Sequence, residues 1–185
     1  MPLTKMSNNS TNTFVRTFAI KDMETLSMIL EGDPVSFTNV RHPFERLVSG
    51  YLQLIPHFTW LQGKTFEQFV RDIVLVQANA SQSKMTYLEM NVHWRPNNAY
   101  CAFCNINYKV ISKSETFNED KMMIMELLGL QNENVRINAN AGEKIQNLTK
   151  THFRNLTDEL KIALLDLYKY DFEMFDYDPN MYLEI

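Results

Sequence analysis

The stretch from Val35 to Pro56 constrains this chain more than any other. Val35 to Val40 is a short apolar run that reads as a strand. Pro43 stands where a helix starts, because its fixed φ suits the first helical position and its missing N–H costs nothing there. Beyond it, Phe44, Leu47, Val48, Tyr51 and Ile55 recur at helical spacing as an apolar stripe. Glu45, Arg46, Ser49 and Gln53 fall on the other side, and Pro56 stops the helix. This strand–turn–helix unit brings a guanidinium at Arg41, a hydroxyl at Ser49 and free helical N–H groups towards one place, which is the chemistry of an anion site. Arg serves better than Lys because its planar fork can give two hydrogen bonds to one phosphate. Ser49 lies two turns into the helix, so it must face back along the axis beside Glu45 and Arg46. The alternative is that Arg41 and Ser49 only cap and solvate the helix.

Elsewhere the patterning favours helices. Asp22 can cap a helix carrying Met23, Leu26, Ile29 and Leu30 on one face, closed by Gly32 and Pro34. Thr65 and Gln68 make a capping box before Phe66, Phe69, Val70, Ile73 and Val74. Tyr108 to Ile111 reads as a second strand, and Asn118 can cap a Met-rich helix that Gly129 ends, its methionines serving as packing. Thr157 opens a last helix with Leu160, Leu164, Leu167 and Tyr168 inward, followed by an aromatic, acidic tail from Asp171 to Ile185. The expected architecture is an α/β domain of three layers, a short parallel sheet with helices on both faces. Met1 to Thr13 is polar and reads as a disordered lead-in, with one domain over residues 14–185.

Composition narrows the function classes. With 45% hydrophobic and 22% charged residues, 185 residues can bury one core, and the net charge of -4 comes from mixed signs without a basic run. A broad nucleic-acid surface is therefore not expected, and any anion site must be local. The polar first residues do not read as a signal peptide, and no run is long enough to span a membrane. Cys101 and Cys104 stand as C-x-x-C without further ligands at zinc-finger spacing, so no metal is expected. Asn8, Asn9, Asn79, Asn147 and Asn155 each begin an N-x-S/T acceptor, which fits either a lumenal ancestry or Asn-rich surface loops. A nucleotide-kinase reading is set aside, because there is no G-x-x-x-x-G-K-[ST] loop and the chain holds 5 glycines.

The segment Phe37 to Tyr51, FTNVRHPFERLVSGY, resembles the 3′-phosphate-binding segment of carbohydrate sulfotransferases of the chondroitin, HNK-1 and dermatan group. Further similarity follows in family order: His93-Trp94-Arg95-Pro96, then Cys101 and Cys104, then Tyr108-Lys109-Val110-Ile111 leading to Glu115-Thr116, and finally Tyr170 to Phe175. The resemblance implies a P-loop-like sulfotransferase fold and the donor 3′-phosphoadenosine 5′-phosphosulfate, with Arg41 and Ser49 on its 3′-phosphate. It also implies a glycan or proteoglycan acceptor, such as one containing N-acetylgalactosamine, and residence in the Golgi lumen. A chain complete as written would instead be cytoplasmic. Sulfuryl transfer needs donor and acceptor in line, a base for the hydroxyl proton and a cation on the leaving phosphate oxygen.

In that family an earlier strand–loop supplies the cation from a lysine. Upstream of Val35 this chain has Lys5, Arg16 and Lys21, none in a Pro-Lys loop after an apolar strand, so the first strand–loop of the fold is expected to be lacking. The alternative function is a truncated fragment or non-catalytic paralogue that acts as a binding protein. For the base, His93 is the first candidate because neutral imidazole accepts a proton near neutral pH, with His42 and His57 near the phosphate helix. A histidine beside Trp94 and Pro96 also suits a structural, hydrogen-bonded role. Glu115 ranks below it, since a carboxylate there can orient an arginine or cap the next helix. Cys101 and Cys104 would form disulfides in a lumenal protein and stay thiols in a cytosolic one.

Overall fold

A computed structural model of the chain describes residues 36–83, 91–101, 103, 106–129 and 142–183, together with Glu24, Ser27 and Glu31. The chain divides into two units, Met1–Val35 and Ser36–Ile185. In the first, the three described residues are helical and exposed, and Ser27 Oγ donates to Glu31 Oε1 at 3.1 Å. The apolar face expected there (Met23, Leu26, Ile29, Leu30) and the polar lead-in Met1 to Thr13 lie outside the described residues.

The second unit runs β1 (Phe37–Val40), α1 (Pro43–Leu54), α2 (Phe66–Ser83), α3 (Asn97–Tyr100), β2 (Val110–Lys113), α4 (Phe117–Leu127), α5 (Gly142–Arg154), α6 (Asp158–Phe175) and a 3-10 turn, Pro179–Tyr182. Helix therefore dominates, as the patterning anticipates. The described sheet has two strands, β1 and β2, which pair in parallel with Phe37 opposite Val110 and Val40 opposite Lys113. Two parallel strands need a long crossover, and α1 to α3 provide it. Polar links stiffen the pair: Asn39 Nδ2 donates to Ser112 Oγ at 2.9 Å, and Ser114 Oγ donates to Asn39 Oδ1 at 2.6 Å. A sheet this narrow cannot stand alone, so the helices carry the stability.

Their core is aromatic. The stripe of α1 places Phe44, Leu47 and Val48 at no measurable exposure, with Tyr51 nearly so. Phe44 meets Phe153 of α5 with ring centroids 4.5 Å apart and Phe172 of α6 at 5.0 Å. Tyr51 stacks on Phe69 of α2 at 5.1 Å, and Phe69 in turn meets Trp94 edge-on at 5.1 Å. The buried Tyr168 hydroxyl donates to the Trp94 carbonyl at 2.6 Å, which ties the loop before α3 to α6. Removing this much aromatic surface from water is the main favourable contribution to folding.

Several local readings hold. Thr65 and Gln68 form the reciprocal capping box, with Thr65 N–H donating to Gln68 Oε1 at 2.9 Å and Gln68 N–H to Thr65 Oγ1 at 3.2 Å. Thr157 is the N-cap of α6, whose residues Leu160, Leu164, Leu167 and Tyr168 are buried. Others need correction. The cap of α4 is Thr116 rather than Asn118, because Asp120 Oδ2 already collects Thr116 Oγ1 and the Lys113 N–H in that turn. Of the α4 methionines, Met125 is buried while Met122 and Met123 are largely exposed, so the cluster is only partly packing. The tail starts later than Asp171, since α6 continues to Phe175 and ends where Asp176 turns left-handed at φ 50°. Among the described residues, no helix is long and apolar enough to cross a membrane.

Candidate functional site

Beside the carboxyl half of β1 lies a cleft of about 350 Å³, lined by Thr38, Asn39 and Arg41, by Arg46, Ser49, Gly50 and Gln53 of α1, and by Val92, His93, Asn97 and Cys101. The helical residues are spaced i, i+3, i+4 and i+7, so the polar face of α1 forms one wall. Arg41, Ser49 and His93, singled out separately from the sequence, meet in this one cleft. Among the described residues no carboxylate lines it, while two guanidiniums do, which favours an anion.

Arg41 is held by Glu45. Its Nε donates to Glu45 Oε2 at 3.3 Å, and the Tyr182 hydroxyl donates to Glu45 Oε1 at 2.5 Å. Glu45 was expected on the polar side of α1, yet it is 2% exposed. The two bonds are what make that burial tolerable. Burial raises its carboxyl above the ordinary range, against the opposing pull of Tyr182 and Arg41. Among the described residues this pairing uses only Nε of Arg41, and the terminal nitrogens of the fork make no further hydrogen bond. Ser49 is half-buried, and among the described residues its hydroxyl makes no hydrogen bond.

The start of α1 is built differently from the expectation that free helical N–H groups would face the ligand. The His42 N–H donates to Glu115 Oε1 at 2.8 Å, and the Phe44 N–H donates to His42 Nδ1 at 3.3 Å. Those two donors are already used within the protein. Glu115 therefore neither orients an arginine nor caps α4; it anchors the N-cap of α1, and its Oε2 accepts from the Tyr177 hydroxyl at 3.0 Å. His42 is fully employed, its Nε2–H donating to the Asp178 carbonyl at 3.1 Å. Burial holds its ring below the ordinary histidine value, outweighing the Asp178 carbonyl and the charges of Glu115 and Asp178. With both nitrogens bonded, His42 is a structural cap. His57 is exposed in the turn after α1 and does not line the cleft.

His93 reaches the cleft because α1 lets its chain approach. An added Cβ at Gly50 would sit 3.2 Å from both His93 Cβ and its carbonyl oxygen, so glycine there admits the close pass. Arg46 completes the clamp, donating from Nη1 to the Arg95 carbonyl at 2.5 Å and from Nη2 to the Val92 carbonyl at 2.6 Å. The next turn is fixed from α6. Asp171, wholly buried, accepts from the N–H groups of Asn97 at 2.6 Å and Asn98 at 2.8 Å. Sequence reasoning passed over the clamp of Arg46 and over Asn97. A signal for Arg46 was present, since it stands one turn before Ser49 on the same helical face. Cys101 carries a free thiol, near Thr38 Oγ1 at 4.0 Å and raised above its ordinary pKa mainly by burial. Cys104 lies outside the described residues. Among the described residues, no group of three or more His, Cys, Asp or Glu side chains is placed to hold a metal ion.

Carbohydrate sulfotransferase 11 of Mus musculus is 29% identical over 175 residues, covering 82% of this chain and 49% of the relative. The Danio rerio carbohydrate sulfotransferase 11 is 26% identical over 173 residues, with the same coverage of each chain. Carbohydrate sulfotransferase 9 of Homo sapiens is 25% identical over 160 residues, covering 75% of this chain and 36% of the relative. The chain thus spans about half the length, or less, of the curated relatives it matches. No solved structure matches it significantly. The family model described as "Sulfotransferase family" matches residues 2–178, nearly the whole sequence, and the chain belongs to that family.

Proposed function

We propose that the cleft between β1 and α1 binds 3′-phosphoadenosine 5′-phosphosulfate, with Arg41 and Ser49 on the 3′-phosphate, and that the protein carrying it sulfates a hydroxyl of a glycan. The observation behind this reading is the convergence of Arg41, Ser49 and His93 on one cleft whose described lining holds no carboxylate. At about 350 Å³ it falls within the range of small-molecule clefts, roughly 300–1,000 Å³. Glycan acceptors are suggested by the names of the relatives, carbohydrate sulfotransferases 11 and 9. A chondroitin-type acceptor and a lumenal Golgi setting belong to the same proposal.

In the reaction the sugar oxygen attacks sulfur, the bond from sulfur to the 5′-phosphate oxygen breaks, and adenosine 3′,5′-bisphosphate leaves. His93 takes the hydroxyl proton. Arg41, pinned by Glu45, and Ser49 hold the far end of the nucleotide so that the sulfuryl group is presented in line. Turnover also requires a cation on the leaving oxygen, whereas binding needs only the cleft.

Isothermal titration of adenosine 3′,5′-bisphosphate into the purified chain tests the binding step. Saturable binding that Arg41→Ala weakens by about tenfold or more is the expected result, matching loss of a charge-assisted pair. A folded chain that does not bind removes the proposal. Binding without donor-dependent sulfation of any glycan acceptor would favour the non-catalytic reading.

A further inference from the structure

Among the described residues, one buried side-chain polar atom lacks any hydrogen-bond partner: Nδ2 of Asn97, in a residue 5% exposed that lines the cleft. A buried N–H donor left unpaired is costly, and native structures keep very few. The backbone around Asn97 is fixed. Its own N–H and that of Asn98 are fixed on the Asp171 carboxylate, and Arg46 fixes the preceding carbonyls of Val92 and Arg95. The side-chain donor is thus unspent in a turn whose backbone is held from both sides, in a residue that lines the cleft together with Arg41 and Ser49.

We infer that Asn97 is a ligand-contacting residue, its Nδ2–H donating to an oxygen of the phosphate that Arg41 and Ser49 hold. The inference rests on the nucleotide reading of the cleft given above. A donor-only group demands an acceptor, and a phosphate offers several oxygens with room for a charged fork, a hydroxyl and an amide together. That no carboxylate is among the described lining residues points the same way. Asn97 then acts as the neutral member of the set. It adds orientation without adding charge, and the protein stores the cost of its orphaned donor until the ligand satisfies it.

The test compares the wild-type chain with Asn97→Ala, Asn97→Asp and Arg41→Ala, by titration with adenosine 3′,5′-bisphosphate and adenosine 5′-monophosphate, and by thermal unfolding without ligand. Asn97→Ala should weaken the bisphosphate by about five- to tenfold while leaving the unfolding midpoint of the free protein unchanged or higher. Asn97→Asp, which sets an acceptor against the phosphate, should weaken it further. Affinity for the monophosphate should hardly change. Wild-type affinity in Asn97→Ala, in a chain whose binding Arg41→Ala abolishes, would overturn the inference while leaving the cleft's function standing. A lower midpoint at unchanged affinity would show a structural amide, and equal losses for both nucleotides would show that it does not meet the 3′-phosphate. No binding by the wild-type chain would instead bring down the nucleotide reading, and this inference with it.

Discussion

Glu115, two residues beyond β2, accepts at 2.8 Å from the backbone N–H of His42, the residue that caps α1. The turn from β1 into α1 is thereby tied to the second strand and, through Tyr177 on the other carboxylate oxygen, to the segment after α6. Replacing Glu115 with Ala leaves the His42 N–H without its acceptor and should cost about 1.5–3 kcal/mol, as expected for a hydrogen bond to a charged group. Glu115→Gln keeps one acceptor oxygen and should recover part of it. Denaturant unfolding of the two variants checks this, and equal losses would deny the bond its role.

The ring of His42 sets a pH dependence whose sign is fixed. Its folded pKa lies below 6.5, so the unfolded chain takes up a proton first as pH falls. The stability it provides is complete above about pH 6.5 and declines as pH drops towards the folded value. His152, also lowered by burial, acts in the same direction. Glu45 and Asp171, both raised by burial, act oppositely, losing stability as pH rises through their own range. Comparing the wild type with His42→Gln cancels those shared contributions. The gap in unfolding midpoint between them should be wider at pH 7.5 than at pH 5.5, and a gap independent of pH would rule out a neutral buried ring.

Gly50 separates stability from placement. Alanine raises helix propensity by roughly 1 kcal/mol over glycine, yet its Cβ would press on His93 at 3.2 Å. Gly50→Ala should therefore change the unfolding free energy little while shifting the His93 ring resonances in an NMR spectrum. Gly50→Leu, which cannot be accommodated by a shift of a few tenths of an ångström, should be strongly destabilised. Unmoved His93 resonances in the alanine variant would contradict the close pass.

Asp171 anchors the turn that carries Asn97. Asp171→Ala strands two N–H groups but also relieves a wholly buried carboxylate of its desolvation, so a net loss of about 2–4 kcal/mol is expected. Chemical denaturation measures it directly. A loss under 1 kcal/mol would mean that water replaces the carboxylate.

What was legible in the sequence is local. The strand–turn–helix around Arg41, the Thr65 to Gln68 box and the cap at Thr157 each depend on residues within a few positions of one another, which is the range of periodicity and capping rules. Helix α5 went unread because its buried stripe is Ile145, Thr149 and Phe153, with a threonine in the middle and an otherwise polar sequence around it. Thr149 hides its hydroxyl on the Ile145 carbonyl at 2.8 Å, which no pattern of hydrophobicity announces. The burial of Glu45 was equally out of reach, since its partner Tyr182 lies 137 residues away. Arg41 and Ser49 could be chosen by residue type, and His93 by its chemistry. Their meeting in one cleft depends on Gly50 and on the Arg46 clamp, both tertiary facts.

The proposed reading of a 3′-phosphate by Arg41 and Ser49 is tested by the ratio of affinities for adenosine 3′,5′-bisphosphate and adenosine 5′-monophosphate. The wild-type chain should prefer the bisphosphate by about tenfold or more, and Arg41→Ala and Ser49→Ala should each shrink that preference by acting on the bisphosphate alone. Equal affinity for the two nucleotides in the wild-type chain, or variants that weaken both alike, would contradict it.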